Sequence, residues 1–161
     1  MTEALQVDVH VEDVSSLSLD TRAVEDALRR VLAAEGIGAA EISVTFVNDA
    51  RIAELNREYL HHDGPTDVIS FPLHVTDRAP LGDVYVGAEQ AARQAAELGV
   101  PLPEELLRLA IHGTLHVLGY DHPEEAAERE ASPMYHRQEA LLSTVLSGQA
   151  LPPLPPRSEL R

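Results

Sequence analysis

The sequence predicts an α/β (α+β) fold, a small mixed, mostly parallel four-stranded sheet covered by helices. Three observations carry this. Alternating and helical hydrophobic periodicities follow one another in the order β-α-β-α-β-β-α-α-α. The 161 residues, 44% of them hydrophobic, suffice for one core. No repeat or linker divides residues 1–148, which read as a single domain, whereas 149–161 holds the run LPPLPPRSELR and reads as a flexible Pro-rich tail.

The elements follow in order. Leu5, Val7 and Val9 alternate with polar residues, as in a strand. Asp20 or Thr21 caps a helix to about Glu35, whose Val24, Ala27, Leu28, Val31 and Leu32 recur every three or four residues. Ile42, Val44, Phe46 and Val47 give a second strand. Asn48 or Asp49 caps a short helix with Ile52, Leu55 and Tyr59. HHDGPTD (61–67) is a turn by composition, Val68–Phe71 a short strand stopped by Pro72, and His74–Pro80 a loop. Leu81–Gly87 forms a strand and Ala88–Leu98 an Ala-rich helix. Pro103 opens a helix from Glu104 to Leu118, with Gly119 ending it. A last helical pattern runs from Pro123 to about Leu146, with a kink or break at Ser132-Pro133.

Composition excludes several function classes. There is no Cys, so disulfides, thiolate metal sites and cysteine nucleophiles are ruled out. All 12 basic residues are Arg against 27 acids, a net charge of −15. Lysine chemistry is absent, and non-specific nucleic-acid binding through an overall basic field is excluded. No apolar run is long enough to span a membrane, and the acidic N-terminus does not resemble a signal peptide. The expectation is a cytoplasmic protein without membrane contact.

The informative stretch is HGTLHVLGYDH, residues 112–122. His112 and His116 lie four apart on a helix, so both imidazoles leave one face. Gly119 can turn the chain and return His122 to that face. Three imidazoles then converge at a spacing suited to one Zn²⁺ per chain, with a fourth position left open as in catalytic zinc sites. The imidazoles alone do not select zinc over iron, nickel or manganese. The spacing is that of a metzincin-like metal helix, H-E-x-x-H-x-x-G-x-x-H, but the general-base Glu of those proteases is here Gly113. A zinc peptidase or amidase would therefore need a displaced base.

HGTLHVLGYDH resembles the H-G-x-L-H-L-x-G-Y-D-H signature of the YbeY endoribonuclease family, the bacterial rRNA maturation factors. Gly64–Pro72 (GPTDVISFP) is similar to that family's P-T-D-V-L-S-F-P, and Leu81–Val84 to its L-G-D-I. The resemblance covers roughly residues 40–146. It implies a metal-dependent endoribonuclease acting on single-stranded RNA, in 3′-end maturation of small-subunit (16S) rRNA and in ribosome quality control. His112, His116 and His122 would be its zinc ligands and the core of its catalytic site. Ribosomal proteins or the small subunit would be further partners. A non-catalytic ribosome assembly factor with a metal-stabilised fold is the competing reading, and the acidic charge suits it.

Other residues take candidate roles. Asp121 is a catalytic candidate, as an acceptor for an imidazole N–H or a proton shuttle, or else an Asp that closes the turn. Thr66 and Asp67 are candidates for substrate contact, and the strand Val68–Phe71 for an edge that walls the cleft. Many family members carry an Arg after the residue equivalent to Tyr59, where this chain has Leu60. Arg57, His61 and His62 are the neighbouring candidates for phosphate contact. Tyr120 and Met134 read as packing, and His136 and Arg137 as solvated.

Overall fold

The computed structural model describes residues 5–14, 17–73 and 79–148. Most of the predicted 74–80 loop and the whole 149–161 tail lie outside them. Strand β1 (Leu5–Val11) leads through helix α1 (Thr21–Ala34) to β2 (Ala40–Val47), α2 (Asp49–Leu60), β3 (Val68–Pro72) and β4 (Leu81–Gly87). Helices α3 (Ala88–Leu98), α4 (Leu102–Val117), α5 (Ala126–Glu130) and α6 (Pro133–Ser147) follow. The strands lie in the order β1-β2-β4-β3. β1 and β4 pair parallel to β2, and β3 pairs antiparallel to β4 at the edge, in the register Ser70 to Val84.

Local chemistry sets the boundaries. The Asp20 carboxylate accepts from the Ala23 N–H at 3.1 Å and the Asn48 side chain from the Arg51 N–H at 2.8 Å, so both predicted caps are made. The last helical pattern begins later than predicted, at Ala126, and divides. Ser132 caps α6 by accepting from the Tyr135 N–H, which with Pro133 starts a new helix rather than bending an old one.

Strand alternation divides the apolar residues between two faces. Val7, Val9, Ile42, Val44, Phe46, Val84 and Val86 form the main core with α1, α4 and α6. Val47, Ile52, Leu55 and Ile69 make a smaller core beneath α2. There Tyr59, Phe71 and Tyr85 meet edge to face, with centroids 5.4 and 5.9 Å apart.

Helix α4 lies close against β3 and β4, and glycine makes this possible. A Cβ at Gly113 would sit 2.4 Å from Val84 Cγ1 and 3.1 Å from Ser70 Oγ; one at Gly82 would meet both Val117 methyls at 2.8 Å. Ser70 Oγ donates to the Gly113 carbonyl at 3.0 Å and ties the edge strand to the helix.

Candidate metal centre

Helix α4 presents His112 and His116 one turn apart, as the i, i+4 spacing requires. The helix ends in a Schellman turn. Gly119, at φ +105°, donates to His116 O and Tyr120 to Leu115 O, both at 3.0 Å. The chain reverses, and His122 returns to the helix face. His122 Nε2 lies 3.2 Å from His116 Nε2 and 3.3 Å from His112 Nε2.

The other ring nitrogens decide what this convergence means. His116 Nδ1 faces the Tyr120 carbonyl at 3.0 Å, and His122 Nδ1 the Pro123 carbonyl at 2.9 Å. His112 Nδ1 faces Gln138 Oε1 at 2.6 Å. Each Nδ1 thus donates to an oxygen, and each Nε2 is left as a bare lone pair pointing at the others. Bare lone pairs at such distances repel unless a cation lies between them. A tetrahedral ion with N–metal bonds of ~2.0–2.1 Å has edges of about 3.3–3.4 Å. His112, His116 and His122 therefore fit a single metal ion, and they are the one such cluster among the described residues.

Burial pushes the His112 imidazole down to about 4, against a weaker upward pull from the Gln138 hydrogen bond, and lowers that of His116 as well. His112 and His116 are thus held in the neutral form that metal binding needs. The linkage has a definite sign. Below about 6.5 the unfolded chain binds protons that buried His112 refuses. The metal-free protein is then fully stabilised above pH 6.5 and loses roughly 3 kcal/mol from this group as pH falls to about 4. Urea unfolding of the metal-free wild type and His112→Asn between pH 7 and 4 checks this. The wild type should lose its advantage on acidification, and a pH-independent difference would contradict it.

The imidazoles open into a cleft of about 1090 Å³. Its walls include Val68–Ser70 of β3, Gln90, Gln94 and Leu98 of α3, and Tyr135 and Gln138 of α6. Thr66, Asp67 and Asp121 line it; Asp67 accepts from Gln94 Nε2 at 3.2 Å, and Asp121 Oδ1 from the His122 N–H at 2.8 Å. Leu60 also reaches the cleft, whereas Arg57, His61 and His62 stand exposed outside its lining, at the end of α2. Among the lining residues Asp67, Glu105, Asp121, Glu124 and Glu130 face only Arg108 and Arg129. Arg108 is itself held by Glu104, Glu105 and Glu139.

Three supporting residues escaped the sequence reading. Glu35, 7% exposed, accepts from Tyr120 Oη through one oxygen and from Arg137 Nε at 2.6 Å through the other. Arg137 is buried at 5% rather than solvated, whereas Tyr120 packs against the core, as predicted, and anchors its hydroxyl on Glu35. The burial of Tyr120, with Glu35 against it, raises its pKa. Gln138, the third, is 4% exposed. A signal existed: Glu35 continues the apolar stripe of α1, and Arg137 and Gln138 fall on the Met134–Leu141 stripe of α6. Met134 is core packing, as predicted.

The sequence profile of the family described as Endoribonuclease YbeY matches residues 7–146. The Endoribonuclease YbeY of Persephonella marina is 38% identical over 143 residues, covering 84% of this chain and 90% of the relative. That of Moorella thermoacetica is 46% identical over 132 residues, covering 73% and 81%. The solution structure of TM1509 from Thermotoga maritima aligns with a TM-score of 0.60 at 29% identity, covering 89% of this chain and 91% of that one. No helix among the described residues is long and apolar enough to cross a membrane. With nearly the whole described fold matched, this chain belongs to the endoribonuclease YbeY family.

Proposed function

We propose that this chain is a zinc-dependent endoribonuclease that cuts single-stranded RNA in the cytoplasm. Its setting is late 3′-end maturation of small-subunit rRNA and ribosome quality control, with ribosomal proteins or the small subunit as partners. The domain is residues 1–148. One observation carries the reading: in a chain of this family, three Nε2 lone pairs converge at the wall of an open cleft.

One zinc held by His112, His116 and His122 would supply Lewis acidity, both toward a phosphoryl oxygen and in acidifying water. The chain's residues do the rest. The acceptors at Nδ1 hold the three rings. Asp121 fixes the backbone of His122, and its exposed carboxylate is the proton carrier of that loop. Thr66 and Asp67 contact the strand at the cleft wall. Arg57, His61 and His62 contact its phosphates at the rim, while Leu60 offers no charge.

The test is cleavage of matched single- and double-stranded RNAs by zinc-loaded and chelated protein. Zinc-dependent cutting of the single strand is expected. A metal-replete protein that cuts neither would favour the assembly factor. For the rim, joint substitution of Arg57, His61 and His62 by alanine should raise KM roughly tenfold with kcat unchanged, as the loss of exposed polar contacts of ~0.2–1 kcal/mol each would. Steady-state kinetics on a short single strand check this, and a lower kcat at constant KM would contradict it.

A further inference from the structure

The two carbonyls behind His116 and His122 can only accept, so those rings have no choice of tautomer. His112 differs. Its partner is the side-chain amide of Gln138, which offers an acceptor on one side and donors on the other. Were the amide reversed, its NH₂ would face Nδ1. The ring proton would then move to Nε2, where it would occupy the lone pair a metal needs.

The groups behind Gln138 settle its direction. Gln138 Nε2 donates to Glu139 Oε2 at 2.9 Å. Glu139 in turn accepts from Arg108 twice, Nε to Oε2 at 3.0 Å and Nη2 to Oε1 at 3.3 Å. Arginine only donates and an ionised carboxylate only accepts. Each link therefore has one permitted sense: His112 Nδ1 donates to Gln138 and Gln138 to Glu139, whose carboxylate also takes the two bonds from Arg108.

We propose that Arg108, Glu139 and Gln138 form a hydrogen-bond relay that fixes the tautomer of His112, with Gln138 and Glu139 as positioning residues for the metal. The proposal rests on the metal-centre reading above. It assigns Arg108 a role other than phosphate contact, although it lines the cleft one helical turn before His112. It also gives α6, which holds no ligand of its own, control over the centre.

The experiment uses Gln138→Met and the milder Glu139→Gln, which touches no histidine and whose new amide tolerates either direction of Gln138. Zinc affinity is measured by competition with a chromogenic chelator. The His112 ring nitrogens are read by ¹⁵N NMR in the metal-free proteins. Gln138→Met should bind zinc about 10–100-fold more weakly. Glu139→Gln should show a smaller loss, and both variants a mixture of His112 tautomers where the wild type has only Nδ1–H. A purely structural role would lower the melting temperature and leave the tautomer alone, which would overturn the proposal. So would a wild type that binds zinc and two variants that match it. A wild type that takes up no zinc would overturn the metal-centre reading and this proposal together.

Discussion

Alanine at His116 is expected to abolish stoichiometric zinc uptake and to cut cleavage of single-stranded RNA by more than ~100-fold. Loss of a group that merely supports a ligand costs about 10–100-fold, and here a ligand itself goes. No other described imidazole or carboxylate shares the cluster. RNA binding should weaken along with turnover. Without a cation, the carboxylates of Asp67, Glu105, Asp121, Glu124 and Glu130 repel a polyanion that Arg108 and Arg129 do little to attract. The thermal stabilisation given by added zinc should vanish as well, a loss of about 4 kcal/mol at a thousandfold excess over Kd. Metal analysis, RNA cleavage rates, an RNA gel-shift and melting curves with and without zinc check the four parts. Stoichiometric zinc in the variant would contradict the assignment, and the same holds for His112→Ala and His122→Ala.

The second large effect concerns stability. Arg137→Leu should cost about 3–5 kcal/mol, because it strands the Glu35 carboxylate in the core with only the Tyr120 hydroxyl beside it. The double variant Glu35→Leu/Arg137→Leu should recover most of this, since a buried pair replaced whole by apolar groups is often neutral. The Tyr120 hydroxyl then lacks its acceptor, and adding Tyr120→Phe should return more. Urea unfolding of the single, double and triple variants measures the series. A double variant no better than the single would show that the pair is not the source of the loss.

Much of this architecture was legible because it is local. The strand Leu81–Gly87 and the helix Ala88–Leu98 have the ends their patterns predict, and the three histidines converge through helix spacing and one glycine turn. What escaped is set by distance along the chain. Arg137 meets Glu35 across 102 residues, and Gln138 meets His112 across 26. Periodicity could mark these residues as oddly placed on apolar stripes, but not name their partners. The segment after α2 shows a second limit. His61 caps the helix in the left-handed region at φ 58°, so the face that Leu60 gives to the cleft is not continued by His61 and His62. A helical phase read from sequence ends at its cap.

The contact between Gly113 and Val84 has a consequence for how enzymes of this kind can diverge. Proteases with the same histidine spacing place their base immediately after the first histidine. In this fold that position points into the seam between helix and sheet, where even a methyl group meets Val84 at 2.4 Å. A carboxylate there would be sealed from any substrate and unpaired in the core. No single codon change can therefore graft peptide hydrolysis onto this metal helix. The helix would first have to lift off the sheet, breaking the bond from Ser70 to the Gly113 carbonyl and opening the packing of Val117 on Gly82. The close seam between helix and sheet thus excludes a side chain at this position, and admitting one means rebuilding both surfaces at once.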